Sequence, residues 1–321
     1  MTMRELYTFA IRKGMSLDPQ GIETLEAQMA RCRKEYEILP DDKKWTFEKE
    51  RCTNPFGDTR ILVGDPHTEL HRILVGIDIL GAEVLLAAAL TASGRKIDMV
   101  LSHHASALAG DLASPEDVLI AQVKMMTDAG VPKSKAQKLV RETMKGKERP
   151  WDARHVQVAE ALSIPLMGIH GPADLCMFQY YYSRFEEHKP ETVGDLVDLL
   201  NEDPEVRWTM NRYGKGTEVA VGHCDDDLGR IYGVFYGGWN PTPPCFEALC
   251  EAGIGTMVCI ATSDELNKIA SKHHVNIVVI PHYPADNVGL NLLLDEAMDE
   301  LGEIEVMECS NYVRIDRRSH P

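Results

Sequence analysis

Positive charge is scarce in this sequence. Its 321 residues include 34 lysines and arginines against 50 aspartates and glutamates, so the formal net charge is −16. A protein that binds the phosphates of DNA or RNA needs a basic face, which this balance does not favour. Hydrophobic residues make up 44% and charged residues 26%, which is typical of globular proteins. We therefore expect a folded protein without a nucleic-acid partner.

Long apolar runs are also missing. The longest, residues 77–90, contains Asp78 and Glu83, whereas a membrane-spanning helix needs about 18 clean apolar residues. The first five residues, Met-Thr-Met-Arg-Glu, lack an apolar signal region. We therefore predict a cytoplasmic protein that does not interact with membranes.

Several familiar motifs are absent as well. The eight cysteines include no CxxC pair, so we expect reduced, buried thiols rather than disulfides or a thiolate zinc site. The sequence has no Walker-type loop, no GxSxG elbow and no GxGxxG fingerprint. Nucleoside triphosphate motors, serine hydrolases and Rossmann dehydrogenases are therefore disfavoured.

What is present is an alternation of helical and strand patterns, which predicts an α/β fold with helices packed on sheets. Strands are predicted at residues 60–64, 73–78, 96–102, 164–169, 218–221, 256–260 and 276–281. Helices are predicted at residues 81–90, 115–129, 133–144, 152–162, 192–200, 246–253 and 263–273.

We divide the chain into three regions: an N-terminal helical extension at 1–52, a first α/β lobe at 53–189 and a second α/β lobe at 190–321. A linker of acidic residues and prolines around the helix at 192–200 supports the second boundary. The segments that end at His104 and His282 share the order helix, turn, strand, histidine, which indicates a pseudo-repeat.

Imidazole and carboxylate side chains follow three of the predicted strands. They are His103 with His104, His170 with Asp174, and His282 with Asp286. Ligands gather at the carboxyl ends of strands in such sheets, and this donor set suits Zn, Fe or Mn. Six ligands are enough for two metals. The competing interpretation is that the histidines begin polar loops and the aspartates cap helices.

Other residues invite a role that we discount or leave open. Asp78 orients a ligand histidine or caps a helix. The tyrosines at 180–182 and the aromatic stretch at 232–239 form pocket walls, or pack in the core or between subunits. We expect the remaining paired or acidic-flanked histidines to be surface residues: His67 with His71, His273 with His274, and His223.

Four segments resemble the NIF-three-like family, also called the GTP cyclohydrolase I type 2-like family. They are residues 74–78 before an amphipathic helix, 100–104, 168–174 and 281–286. The resemblance covers roughly residues 54–315. It implies two similar α/β lobes with a di-metal centre between them, and commonly a ring-shaped homohexamer. The metal ligands that it implies are His103, His104, His170, Asp174, His282 and Asp286.

The sequence departs from the family pattern in three places. The family usually has a glutamate where this chain has Asp286, and a glycine where it has Pro281. The first 50 residues do not match well.

We expect a metal-dependent hydrolase in which water activated by two divalent metals attacks a C–N bond of a small cyclic or amide substrate, as in a GTP cyclohydrolase-like ring opening. One alternative is a metal-binding protein without turnover, acting in metal handling or as an interaction scaffold. Another is a di-metal phosphoesterase, although no basic residue lies within four positions of His103, His170 or His282. A homo-oligomer is also expected.

Overall fold

A computed structural model describes residues 1–104, 115–144, 153–237 and 240–319. The chain forms two compact units, each built from three segments. The first unit consists of residues 1–121, 148–173 and 293–314, and the second of residues 122–147, 174–292 and 315–321. The predicted boundaries after residues 52 and 189 divide the chain into continuous pieces, whereas these units are discontinuous.

The elements alternate as the sequence predicts. The helices are α1 (Met3–Leu17), α2 (Ile22–Ile38), α3 (Gly81–Ala92), α4 (Pro115–Asp128), α5 (Lys133–Met144), α6 (Arg154–Leu162), α7 (Gly171–His188), α8 (Val193–Asn201), α9 (Pro204–Tyr213), α10 (Pro243–Glu251), α11 (Asp264–His273) and α12 (His282–Leu301). The strands are β1 (Arg60–Val63), β2 (Arg72–Gly76), β3 (Met99–Ser102), β4 (Leu166–Gly168), β5 (Glu218–Val221), β6 (Ile231–Val234), β7 (Thr256–Cys259), β8 (Asn276–Val279) and β9 (Glu305–Cys309). Two short 3-10 helices, Asp41–Thr46 and Lys49–Cys52, follow α2.

The first unit contains a five-stranded sheet in the order β1-β4-β3-β2-β9. Strands β2, β3, β4 and β9 are parallel, and β1 pairs antiparallel with β4 at one edge. Buried aliphatic residues such as Leu74, Val100 and Leu166 pack with α3 and α6 on this sheet. The sequence therefore builds an α/β sheet with helices packed on it, as predicted.

The second unit contains a four-stranded sheet in the order β5-β8-β7-β6. Strands β6, β7 and β8 are parallel, and β5 is the antiparallel edge strand. Its core includes Tyr181, Phe235 and Val278, all nearly fully buried. The tyrosines at 180–182 and the described part of the stretch at 232–239 thus contribute to packing. Tyr182 packs against the same core, and its hydroxyl oxygen accepts from the Gly233 amide at 2.8 Å.

The two sheets repeat one topology. In each, an antiparallel edge strand is followed, in sheet order, by the fourth, third and second strands of that unit. Even the register irregularity recurs, between Ile61 and Val63 in β1 and between Val219 and Val221 in β5. The similarity of the two lobes is confirmed. The repeat pairs β4 with β8, so the segment ending at His282 corresponds to the one ending at His170, and our pairing of His282 with His104 was wrong.

The N-terminal extension is helical, as predicted, and is part of the first unit. Thr2 caps α1 by accepting from the Glu5 amide at 3.2 Å, and Leu6 and Ala10 are fully buried on one face of the helix. Asp18 and Pro19 lie between α1 and α2. Amphipathic spacing in this segment therefore gave the right elements.

Two further observations bear on the sequence predictions. The eight cysteines, all of which are described residues, form no disulfide. Within the described part of the chain, no helix is long and apolar enough to cross a membrane.

Candidate metal centre

Three histidines meet at one edge of the first unit's sheet. His103 and His104 follow β3 directly, and His170 follows β4 after one intervening residue. Because β3 and β4 are parallel neighbours with Ser102 opposite Gly168, their carboxyl ends lie side by side. The three side chains, called the histidine cluster below, each offer a nitrogen within 4.8 Å of the others.

The histidine cluster is tightly packed and largely buried. The ring centroids of His103 and His170 are 5.0 Å apart, and those of His104 and His170 are 5.6 Å apart. His103 is fully buried, while the side chains of His104 and His170 are 26% and 17% exposed. Imidazoles that converge at the edge of a sheet in this way suit a borderline divalent metal.

The backbone beneath the cluster is fixed by the neighbouring strand. The amides of His103 and His104 donate to the carbonyls of Gly76 and Ile77 at 3.0 and 2.8 Å. Ile169 donates to the Ser102 carbonyl at 2.9 Å. The parallel ladder thus extends past the ends of the strands and sets where the imidazoles project.

Each imidazole of the cluster is held at Nδ1. That of His104 is 2.8 Å from Asp78 Oδ1, that of His170 is 2.8 Å from Asp58 Oδ2, and that of His103 is 3.2 Å from the Ile169 carbonyl oxygen. Histidines that bind metals commonly have this arrangement, with the other ring nitrogen as the ligand. The cluster therefore fits a divalent metal by its donor chemistry, and the contact between Asp78 and a cluster histidine is confirmed.

Sequence reasoning missed Asp58. The signal for the other site residues is their position after a strand, whereas Asp58 precedes β1. Because β1 runs antiparallel to β4, with Arg60 opposite Gly168, its amino end reaches the edge where the parallel strands have their carboxyl ends. The antiparallel pairing was the missing information, and the chain pattern around Asp58 does not reveal it.

The electrostatics of Asp58 favour a carboxylate. Burial acts to raise its pKa, but the hydrogen bond with His170 and that from the Gly171 amide more than offset this, so the pKa lies below its ordinary value. Asp58 is therefore an ionised acceptor at neutral pH.

The other three predicted ligands, Asp174, His282 and Asp286, lie in the second unit. Asp286 is close to both Asp174 and His282. His282 Nε2 is 3.3 Å from Asp286 Oδ2, and one oxygen of Asp174 lies within 4.8 Å of one of Asp286. Asp174 and Asp286 are 3% and 2% exposed. Asp174 accepts from the Gly237 amide at 2.9 Å, a contact outside its own helix. Two buried carboxylates and an imidazole at this spacing are also a donor set for a divalent cation.

The histidines that we assigned to the surface make ordinary contacts. His71 is 75% exposed, near Glu69 and Asp98. His273 lies in the last turn of α11, where a basic group suits the helix dipole, and its Nε2 is 3.5 Å from Glu247. His223 lies in an exposed turn, and its backbone amide donates to the Asp226 carboxylate at 2.7 Å.

Comparisons with known proteins agree with the resemblance. No family model and no curated protein matches the chain. Among solved structures, a NIF3 superfamily protein from Sphaerobacter thermophilus is 28% identical, with a TM-score of 0.66, over 79% of this chain and 91% of that one. Reduced HcgD from Methanocaldococcus jannaschii is 11% identical over 78% and 87% of the two chains, with a TM-score of 0.47. A Bacillus cereus protein related to NIF3 is 11% identical over 80% and 93%, with a TM-score of 0.42.

The first of these matches extends over most of both chains. Together with the two mixed sheets, it supports a NIF3-like assignment of the chain.

Proposed function

We propose that the protein is a metal-dependent hydrolase that cleaves a C–N bond in a small cyclic or amide substrate, in the manner of a GTP cyclohydrolase. The histidine cluster is the observation that supports this proposal most. Its three imidazoles converge within 4.8 Å and are each held at Nδ1 by an acceptor. Such a set is suited to binding a catalytic divalent ion.

We propose two divalent ions per chain, of Zn, Fe or Mn. His103, His104 and His170 bind through the imidazole nitrogens of the cluster. The resemblance implies that Asp174, His282 and Asp286 supply the remaining ligands. Six ligands exceed what one four-coordinate ion uses.

A bound divalent ion supplies Lewis acidity, which makes water a nucleophile near neutral pH. The chain's own residues contribute placement and charge. Neutral imidazoles leave the positive charge of an ion largely intact, whereas carboxylates reduce it. The near-complete burial of His103, Asp174 and Asp286 excludes bulk water from these donors, which strengthens their electrostatic interactions.

The experiment is metal analysis of protein purified without chelator, combined with a screen of cyclic amides, nucleotides including GTP, and phosphoesters. We expect about two ions per chain and products whose summed mass exceeds that of the substrate by one water. His103→Ala should lose metal and turnover together. The matched control is His273→Ala, whose side chain contacts Glu247 and which should retain both.

The same screen separates the competing functions. Metal binding without turnover on any substrate class indicates a metal-handling protein or scaffold. Release of inorganic phosphate from a phosphoester indicates a phosphoesterase. A metal content near zero after reconstitution with Zn, Mn and Fe contradicts all three.

We also propose a homo-oligomer, which in the family is commonly a hexameric ring. The sequence argument placed the interface at residues 232–239, but Tyr232 and Phe235 are buried within the second unit. A better surface is the outer face of α3, where Leu85 and Leu86 are 55% and 41% exposed beside exposed alanines. The leucine and alanine side chains of this face carry no charge, so a two-fold contact that pairs the face with itself places no like charges opposite each other there.

Sedimentation tests the oligomer. We expect an assembly at micromolar concentration, and Leu85→Glu should dissociate it. Trp45→Glu introduces the same charge at a side chain that is 84% exposed elsewhere and should have no effect. A wild-type monomer contradicts the proposal.

The absence of disulfides among the eight described cysteines supports a reducing compartment, and we propose a cytoplasmic location. Cell fractionation checks it: recovery in an oxidising compartment contradicts the proposal.

A further inference from the structure

Asp58 makes contacts that tie it to a single imidazole. One carboxylate oxygen, Oδ2, is 2.8 Å from His170 Nδ1. The other, Oδ1, accepts from the Gly171 amide at 3.3 Å and from the Thr59 hydroxyl at 3.5 Å. Only 17% of the side chain is exposed, so these contacts occupy most of its surroundings.

The loop that carries Asp58 is braced on both sides. The Asn54 side chain accepts from the Phe56 amide and donates to the Thr59 carbonyl, both at 2.8 Å. The Thr59 hydroxyl in turn accepts from the His170 amide at 3.3 Å. A network of this kind fixes the carboxylate relative to the backbone of the histidine that it contacts.

The residue after His170 leaves room for this carboxylate. A Cβ at Gly171 would lie 3.2 Å from both Asp58 Oδ1 and the Phe56 ring, which is tighter than most side-chain contacts. Glycine at this position lets Asp58 approach the backbone of the first turn of α7.

The hydrogen-bond roles follow from the chemistry of the acceptors. A backbone carbonyl and an ionised carboxylate only accept, so Nδ1 must donate in all three imidazoles of the cluster. In a neutral imidazole the lone pair is then on Nε2. The three acceptors are Asp58 for His170, Asp78 for His104 and the Ile169 carbonyl for His103.

We propose that Asp58 is a positioning residue that keeps the proton of His170 on Nδ1 and so presents Nε2 as the metal-binding nitrogen. This inference rests on the proposed metal function. It extends that function to a residue outside the six proposed ligands, before the first strand of the sheet.

The decisive variant is Asp58→Asn, which keeps the shape but replaces an acceptor-only group by one that can donate an N–H to Nδ1. His170 should then change to the Nε2–H tautomer. We expect zinc affinity to fall about 10- to 100-fold, the range for loss of a partner that orients a ligand histidine. Asp58→Glu retains a carboxylate and should keep the Nδ1–H tautomer, with a smaller loss of affinity.

Two readouts are needed. Nitrogen-15 NMR of histidine-labelled apo protein reports the tautomer of His170, and titration with Zn²⁺ reports affinity. The control is Asp65→Asn, which removes the same charge from an exposed turn where the carboxylate accepts from the His67 amide. It should change neither readout.

The outcomes are distinguishable. Asp58→Asn with the Nδ1–H tautomer retained overturns the inference, even if affinity falls, because the loss then has another cause. Unchanged zinc affinity with a changed tautomer also overturns it. Wild-type protein that binds no divalent metal refutes the proposed function, whereas the tautomer measurement on apo protein still tests the hold of Asp58 on His170.

Discussion

The Arg317 guanidinium lies 4.6 Å from the centre of the Tyr180 ring and donates through Nε at 3.0 Å to Glu205 Oε1. A second hydrogen bond joins Nη2 to the other Glu205 oxygen. Glu205 and nearby Asp203 are 2% and 0% exposed. A cation from the C-terminal segment thus compensates buried negative charge inside the second unit.

Arg317→Ala should destabilise the protein by about 3–5 kcal/mol, because removing one partner leaves a buried charge without compensation. Urea unfolding measures the change in the free energy of unfolding. Arg318→Ala is the neighbouring control: its guanidinium is 25% exposed and pairs with Asp316, so its loss should cost at most about 1 kcal/mol. Equal effects of the two variants would count against this account of Glu205.

Asp98 should make stability depend on pH on the acid side. It is 3% exposed and accepts from the amides of His71 and Arg72 at 2.8 and 2.9 Å. Burial acts to raise its pKa, but the Lys96 ion pair and these amides offset it, so the pKa is lowered from 3.8. A lowered folded-state pKa contributes stability above the unfolded-state value, and that stability is lost as the pH falls through the folded-state value.

Asp98→Asn should therefore lower the free energy of unfolding at pH 7 by about 1–2 kcal/mol, since hydrogen bonds to a charged acceptor are stronger than those to a neutral one. The difference from wild type should begin to shrink as the pH falls through the unfolded-state value of about 4, and should shrink further as the pH falls through the lower folded-state pKa. Unfolding curves between pH 3 and 7 test this. Lys96→Ala leaves both amide hydrogen bonds in place and removes a partner that is 76% exposed, so it should cost less than Asp98→Asn, at most about 1 kcal/mol.

The sequence predicted elements better than it predicted topology. Amphipathic spacing predicted α5 at residues 133–144, where the structure has it. The predicted ends of β7 and β8 differ from the observed ends by at most two residues. It missed α12, whose Ala285, Val288 and Leu294 are fully buried. A helix buried on several faces lacks the one-sided apolar spacing that identifies helices.

The site was predictable to a similar extent. Strand ends pointed to the histidine cluster because parallel neighbours align their carboxyl edges. The contact between Asp58 and His170 depends on β1 pairing antiparallel with β4, and a long-range pairing of this kind is not encoded in local spacing. The same limit explains why His282 was matched to His104 instead of His170.

Cys224 should be the fast-reacting thiol of the native protein. Of the eight cysteines, all within the described residues, it is exposed, whereas Cys32 and Cys309 are half-buried and the others buried. Burial raises the pKa of Cys259 and Cys309 to about 12 and that of Cys250 to about 11, so their thiolate fractions are small.

Titration with a thiol-specific chromogenic reagent checks this. One equivalent should react rapidly, and Cys224→Ser should remove that phase, while all thiols react in denaturant. Cys250→Ser is the control and should leave the rapid phase intact. A rapid phase that persists in Cys224→Ser assigns the reactivity to another cysteine.

Asp286 should bind metal and not merely cap its helix. Its side chain is 2% exposed and lies 3.3 Å from His282 Nε2, and an oxygen of Asp174 lies within 4.8 Å. Asp286→Asn keeps the volume but removes the negative charge, so we expect lower metal affinity and loss of any hydrolytic activity. Asp286→Glu keeps the charge with one more methylene, and we expect it to retain metal with altered activity.

Metal titration of the apo forms, with turnover measured in parallel, tests both variants, and thermal unfolding separates metal loss from misfolding. If Asp286→Asn folds and binds metal with unchanged affinity and turnover, Asp286 is not a ligand, and five ligands remain in the proposed centre.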